Sequence, residues 1–455
     1  VRIIDRIDDA MNDELLNLAQ MAVEKAIKLG ATAADAIVAD GNSTSVSVRQ
    51  GKIEDVGRSE SRDIGIRVFA GQSSAIIAGS VLTPEAIGKL AERALAMAKL
   101  APPDSYSGIA DPSQLATKVI DLDLVGEETP SPLKLQELAF AAEASALAVP
   151  GVSKSIGAGS SSSSSFIALA ASNGFAQAYR RTGFGLSASV IAGDGTSMER
   201  DYDGSSALHF GDLEQPEKIG RTAGERAVKR LNPRKLASQT VPVIFDRRVA
   251  SSLIGHLLGA INGGAIARGV SFLKDDMGKA LFKPGVTIVD DPLRIRGFAS
   301  RSFDGEGLPT ALRNLIEKGV LTSWVLDLRS ARQLGLTPTG SGARGLGSQP
   351  GPSTSNVHME PGMKSPEDMM RDMGTGLLVT EFIGSSINGA TGDYSRGATG
   401  FWIENGEIQY PVSEITIAGN LKTMFASLEP ANDLMFKGSV NAPSCIIESM
   451  TIAGR

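Results

Sequence analysis

TSVSVRQGKIEDV, residues 44–56, alternates its side chains: Val46 and Val48 are apolar, Ser47 and Arg49 polar. A period of two marks a half-buried strand, and Gly51 supplies a hairpin turn. Similar runs flank it: ADAIVAD near 35–40, DIGIRVFA at 63–70 and SSAIIAGS at 73–80, with Gly71 at a second turn. The strands come in runs without regular helical crossovers. That predicts an α+β class and argues against a doubly wound parallel sheet.

Helices bracket this run. Leu15, Leu18, Ala22, Ala26 and Leu29 recur at helical spacing, which predicts a helix from about Asp13 to Leu29, capped by Asn12 and stopped by Gly30. A second helix is expected to start at Thr83-Pro84-Glu85 and run to about Leu100. A polar connection follows to about Thr129. The pattern then repeats: a helix near Pro132 to Ala148, strands at VSKSIGAGS, FIALAASNG, FAQAYRRTG and GLSASVIAG, and a helix from about Glu214 to Arg230. Helix, strands, helix, twice over, suggests a tandem duplication within residues 1–235.

A boundary is placed near Leu231-Asn232-Pro233, giving an N-terminal α+β domain (1–235) and a C-terminal domain (236–455) rich in mixed and antiparallel sheet. The second opens with a strand, VPVIF at 241–245, and a helix containing SSLIGHLLG at 251–259. It ends in the strand-like FWIENGEIQY, EITIAGN and APSCIIESMTIAG. Asn405-Gly406 between apolar runs is a strong hairpin signal.

The 455 residues are 42% hydrophobic and 21% charged, ordinary for a globular chain. A net charge of −6 and 5% aromatics leave no electrostatic footprint or stacking platform for nucleic acid, so no direct nucleic-acid contact is expected. Cys445 is the single cysteine, so neither an internal disulfide nor a cysteine-based zinc cluster can form. VRIIDRIDDAMNDELL is charged throughout and lacks a signal-type apolar core. The window Val249 to Ala267 is free of formal charge but contains serines, His256, Asn262 and a glycine pair, and reads as a buried helix. A cytoplasmic chain without membrane association is expected, and the Asn42 sequon is read as idle.

Several motif matches fail on context. GSGARGLG at 340–347 has the dinucleotide-type glycine spacing, but Pro338 precedes it and Gln349-Pro350-Gly351-Pro352 follows, so no helix can start there. It reads as a mobile or substrate-covering loop, with Arg344 exposed. Gly278-Lys279 lacks the rest of a phosphate loop, and no nucleophile elbow is present. The serine run at 160–165 reads as a flexible turn or an edge. Cys445 reads as a small buried hydrophobe. His209 and His358 stand apart; His358 and Glu360 could share a metal but have no third ligand.

Longer stretches carry a resemblance. VRQGKIEDVGRSESRDIGIRVFAGQ (48–72), RGVSFLKDDMGKALF (268–282), FDGEGLPTALRNLIEKGVL (303–321), LTPTGSGARG (336–345) and GSVNAPSCIIESMTIAG (438–454) together resemble the PmbA/TldE branch of the TldD/PmbA family. The resemblance spans nearly the whole chain. It implies that the catalytic sister, TldD, carries an H-E-x-x-x-H helix where SSLIGH stands here, and binds its metal with help from a cysteine nearer the C-terminus. Aligning the second histidine with His256 puts Ser251 at the first histidine and Ser252 at the glutamate. Asp433 to Val440 has no cysteine, and Cys445 falls inside the last strand. Serine hydroxyls are poor zinc ligands and cannot act as a general base near neutral pH. No catalytic residue and no metal are therefore expected in this chain, and His256 reads as a motif remnant with local hydrogen bonds.

The resemblance also implies a TldD/TldE-type metalloprotease acting on small unfolded peptides, including leader peptides in microcin maturation and an antitoxin. Zinc would belong to the TldD-like sister chain. This chain would form a heterodimer with that sister and complete its peptide channel, or a homodimer when alone. Two rivals stand beside this reading. One is a stand-alone homodimeric peptidase with an unrecognised site. The other is a non-enzymatic binding regulator, the family's gyrase-modulator description. Candidate substrate contacts are Asp304, Glu306, Arg344 and His358.

Overall fold

A computed structural model describes residues 3–195 and 197–454, and of residues 3–10, 12 and 385 the backbone only. The N-terminal part runs α1 (Ile3–Lys28), β1 (Ala33–Arg49), β2 (Lys52–Ala70), β3 (Ser73–Gly79) and α2 (Pro84–Leu100). It repeats as α3 (Pro132–Leu147), β4 (Val152–Ala171), β5 (Ala176–Ala192), β6 (Glu199–Ala207) and α4 (Pro216–Lys229). The six strands form one antiparallel sheet in the order β3-β2-β1-β4-β5-β6, so the two copies of the pattern meet at a central β1–β4 seam.

Stretches read as separate strands turn out to be parts of long ones, β2 and β5 included. ADAIVAD and TSVSV lie on β1 and pair continuously with β2 from Ala33 to Arg49. VSKSIGAGS and FIALAAS lie on β4. The serine run at 160–165 is therefore neither a turn nor an edge. It lies mid-strand, paired on one side with β1 and on the other with β5. Alternation is lost there because both sheet faces carry small polar side chains, which erases the period-two signal. The expected turns at Gly51 and Gly71 hold, with φ of 72° and 63°. The Thr83 cap also holds: its hydroxyl accepts from the Ala86 N–H. Helix α1 begins ten residues before Asp13, so Asn12 lies inside it and does not cap it. Ile3, Ile4, Ile7 and Met11 extend the helical apolar spacing upstream.

All four helices cover one face of the sheet. Ala34, Ala36 and Val38 of β1 pack with α1 and α2, and Val46 and Val48 pack with α3 and α4. Because these residues share parity, they share a face. The opposite face points toward the C-terminal part.

That part runs β7 (Gln239–Phe245), α5 (Arg247–Ala260), α6 (Gly263–Ala267), β8 (Ile288–Asp290), β9 (Arg313–Glu317), β10 (Val320–Leu321) and α7 (Leu328–Leu334). It continues with β11 (Gly342–Ala343), β12 (Gly351–Pro352), β13 (Val357–Met359), α8 (Pro366–Met373), β14 (Gly376–Ile387), β15 (Asp393–Glu404) and β16 (Glu407–Asn420). It ends with α9 (Leu421–Ser427), β17 (Glu429–Pro430), β18 (Val440–Asn441) and β19 (Cys445–Ala453). The turn between β15 and β16 is the expected hairpin, with Asn405 and Gly406 both at positive φ (54° and 78°). Strands β16-β15-β14-β7-β19 are closed into a barrel by pairing of β16 with β19. A second sheet, β10-β9-β8-β13-β18, lies beside it. Helix α5 buries Val249, Ala250, Leu253, Ile254 and Leu257 in the core shared by both sheets. Among the described residues, no helix is long and apolar enough to cross a membrane.

Candidate functional site

Helix α5 starts at the rim of a cleft. Asp246 caps it, accepting from the Arg248 N–H at 2.9 Å, and the Arg247 N–H donates to the Ser444 hydroxyl at 3.1 Å. These contacts tie the first turn to β7 and β19. From there Ser251 faces a cavity of about 430 Å³ between the two parts of the chain. Ser252 does not: its hydroxyl donates back to the Val249 carbonyl at 2.6 Å. His256 packs edge-on against Tyr394 of β15, with ring centroids 5.7 Å apart. Among the described residues its buried Nε2 has no hydrogen-bond partner, so the expected local hydrogen bond is not formed at that atom. Burial first, and the Arg396 charge second, hold its pKa below the ordinary histidine value.

The cleft is cationic. Arg226, Arg247, Arg248 and Lys437 line it, against Asp203. Arg226 donates to Asp203 at 2.9 Å, and Lys437 lies 2.9 Å from Glu214. Behind them Asp201, 3% exposed, takes hydrogen bonds from Arg248 at 2.7 Å and Arg230 at 3.3 Å. Burial works against the Asp201 charge. The Arg248 hydrogen bond and charge, the Tyr202 N–H and Arg230 outweigh it, and the pKa falls below the usual carboxylate range. Arg230 also reaches Glu381 and Thr399, joining α4 to the barrel. A second cavity of about 460 Å³ adjoins, lined by Arg226, Arg247 and Arg248 again and by an apolar wall of Phe401, Ile408 and Tyr410.

A lane of small side chains leads into the cleft across the uncovered sheet face. Ser47, Gly159, Ser187 and Gly204 stand directly opposite one another on β1, β4, β5 and β6. Ser45, Ser161, Gly185 and Ser206 form the neighbouring row. Together they line a groove of about 380 Å³ that shares Ser187 and Gly204 with the cleft. Two of the glycines are tightly placed: a Cβ at Gly185 would sit 3.0 Å from the Ser161 hydroxyl, and one at Gly204 3.3 Å from the Leu186 carbonyl oxygen. The serine run, set aside at the level of sequence, thus supplies part of this lane.

The other candidates lie elsewhere. Asp304, Glu306 and Arg344 come together, but at the junction between the N-terminal sheet and the glycine-rich loop. Asp304, 2% exposed, accepts from the N–H groups of Gly342, Glu306 and Leu308 at 2.8, 2.9 and 3.0 Å. Glu306 accepts from the Leu328 N–H at 2.8 Å. Burial, with the Asp304 charge next, pushes the Glu306 pKa up to about 8. Arg344 is not exposed as expected: its side chain is 0% exposed. It pairs with Asp35, which also takes the Arg67 Nε at 2.8 Å, and donates to the Gly65 carbonyl at 3.4 Å. Burial, offset in part by Asp35, brings its pKa down to about 10. The loop itself is no free cover. Its β11–β12 pair, the Asp304 contact and a backbone approach at Gly65 pin it, and a Cβ on Gly65 would lie 1.9 Å from the Leu346 carbonyl oxygen.

His358 on β13 contacts Glu360 at 3.2 Å and stacks edge-on against Phe436. His209 lies 2.9 Å from the Asp123 carbonyl. Cys445 is fully buried as expected, its thiol donating to the Pro443 carbonyl at 3.2 Å, and burial raises its pKa far above an ordinary thiol. Sequence reading missed Arg226, Arg247, Asp203 and Lys437. One signal was available: Arg247-Arg248 is a cation pair in the first turn of a helix, where the macrodipole disfavours positive charge.

The donor set at α5 does not fit a catalytic zinc. Ser251 faces the cleft, Ser252 is turned into the helix, His256 faces the barrel, and the Cys445 thiol is sealed in the core. Among the described residues, no three His, Cys, Asp or Glu side chains converge as a metal site.

Three consecutive family models match the chain: PmbA/TldA metallopeptidase domain 1 over residues 34–98, the central domain over 126–231 and the C-terminal domain over 238–454. The Escherichia coli O157:H7 metalloprotease PmbA is 40% identical over 439 residues, covering 95% of this chain and 96% of that one. A Haemophilus influenzae PmbA homologue is 38% identical, covering 98% and 97%. A solved structure from Bacteroides thetaiotaomicron, described as a candidate modulator of DNA gyrase, superposes with a TM-score of 0.90 at 28% identity, covering 97% and 99%. Thermococcus kodakarensis TldE shares the fold, with a TM-score of 0.85 at 22% identity, covering 95% and 99%. Near-full-length relatives and three matched domains in family order lead to one conclusion: the chain belongs to the PmbA/TldE branch of the TldD/PmbA metallopeptidase family.

Proposed function

We propose that this chain is the non-catalytic partner subunit of a TldD/PmbA-type peptidase. It receives an extended, unfolded peptide and works with a TldD-like sister chain that holds the zinc. One observation carries this reading. The cleft at the head of α5 is open and joined to a serine-glycine lane, and the residue it presents there, Ser251, is a poor zinc ligand at the position where the family resemblance expects a histidine. Small side chains let an extended backbone lie close to the sheet, and the serine hydroxyls can hydrogen-bond to it. A surface built this way serves peptide binding without serving hydrolysis. Without its sister, the chain is expected to self-associate as a homodimer, since related surfaces are easily made self-complementary.

Co-expression with a sister chain bearing intact H-E-x-x-x-H tests the proposal. The pair should cleave a disordered peptide in a chelator-sensitive way, and neither chain should do so by itself. Replacing the sister's motif histidines should abolish cleavage, while His256→Ala here should cost at most a modest fraction. Cleavage by this chain alone after dialysis against chelator, or one tightly held metal per chain, would overturn the reading.

A further inference from the structure

Arg247 stands out among the cations of the cleft. Arg226 is engaged by Asp203, Arg248 by Asp201 and Lys437 by Glu214. Among the described residues, no carboxylate pairs with Arg247, although the residue lines both cavities. It also opens α5, a helix of 14 residues, so its charge faces the positive end of the macrodipole. A lone guanidinium at such a position is disfavoured until an anion joins it, and an arginine fork can hold a carboxylate by two charge-assisted hydrogen bonds. The adjoining cavity adds Leu378, Phe401, Ile408 and Tyr410, an apolar wall beside the charge. Carboxylate beside apolar side chain is the chemistry of a peptide's last residue.

We infer that Arg247 is a carboxylate anchor in the peptide cleft, holding a terminal residue whose apolar side chain enters the second cavity. This rests on the reading of the cleft as a peptide site. The same carboxylate chemistry is offered by an acidic side chain, so the test separates the two sources. Three unstructured peptides with a common fluorescent N-terminal label are titrated into the full chain by anisotropy. One ends in leucine free acid, one in leucine amide and one in glutamate amide.

The free acid should bind about tenfold tighter than the leucine amide, the scale of one charge-assisted contact. Arg247→Gln should bring the two within about twofold, and Arg247→Lys should restore part of the gap. Glutamate amide matching the free acid would overturn the terminal-residue assignment and leave Arg247 as the partner of an acidic side chain. Equal binding of acid and amide by the unaltered chain, or an unchanged gap in a folded Arg247→Gln variant, would overturn the anchor while leaving peptide binding intact. Failure of every peptide to bind would overturn both.

Discussion

Glu306 shows how one buried group links local geometry to the behaviour of the whole chain. Its carboxyl is enclosed near Asp304 and Asp327, and its pKa is raised from 4.5 to about 8. In the folded state it therefore keeps a proton that the unfolded chain gives up above about pH 4.5. Between those values the unfolded state binds fewer protons, so stability falls as pH rises and levels off above about 8. Asp304 is shifted in the same direction by burial and adds to the slope. Glu306→Gln keeps an acceptor for the Leu328 N–H and removes the proton. Denaturant unfolding should place the variant close to the unaltered chain at pH 5 and ahead of it by about 1 kcal/mol or more at pH 8. Parallel stability–pH curves would contradict this assignment. None of this was legible in FDGEGL, because the shift depends on neighbours that the fold alone brings near.

At the scale of elements, the glycine-rich loop joins the two parts of the chain. Its glycine spacing resembled a nucleotide fingerprint, its flanking prolines argued against a following helix, and the β11–β12 pair stands there instead. Its docking against β2 left no trace in the pattern, since the partner, Gly65, lies almost 300 residues upstream. Gly65 sits at ordinary φ, so its role is steric: the Leu346 carbonyl occupies the space a side chain would need. Gly65→Ala should cost about 2 kcal/mol or more by forcing β2 and the loop apart. It should also expose residues 339–352 to limited proteolysis. Gly347→Ala is the control, since its added Cβ meets Ala78 at an unstrained 3.8 Å. Equal proteolysis of both variants would show that the close approach does not hold the loop.

For the whole molecule, the junction between the N-terminal sheet and the C-terminal part is built on charge taken out of water. Asp35 is the shared carboxylate of Arg67 and Arg344, all three nearly unexposed. Removing a member of a buried ionic group is costly when it leaves charges uncompensated. Asp35→Asn strands two guanidinium groups and should destabilise the chain by about 3–5 kcal/mol. Arg344→Met leaves Asp35 with Arg67 and relieves the arginine–arginine repulsion, so its cost should be clearly smaller. Equilibrium unfolding of the two variants checks the order; the reverse order would mean that Arg344 acts by more than its pairing.

Local pattern was sufficient for much of this protein. Period-two alternation located the strands, the Thr83-Pro84 and Asn405-Gly406 pairs located a helix start and a hairpin, and the repeated helix–strands–helix order anticipated the two halves of one sheet. The expectation that Ser251 and Ser252 stand at the metal-helix positions came from the family resemblance, which rests on residue identity at fixed spacing. Tertiary structure decided the rest. It merged the β1 and β4 segments across a central seam, closed the barrel, and turned the serine run from an expected turn or edge into a lane beside the cleft. It buried Arg344 against Asp35, 309 positions away, and left Arg247 facing two cavities. Periodicity reports which face of an element is buried, whereas charge pairing and cavity lining depend on which distant residue meets that face, and no local pattern encodes that partner.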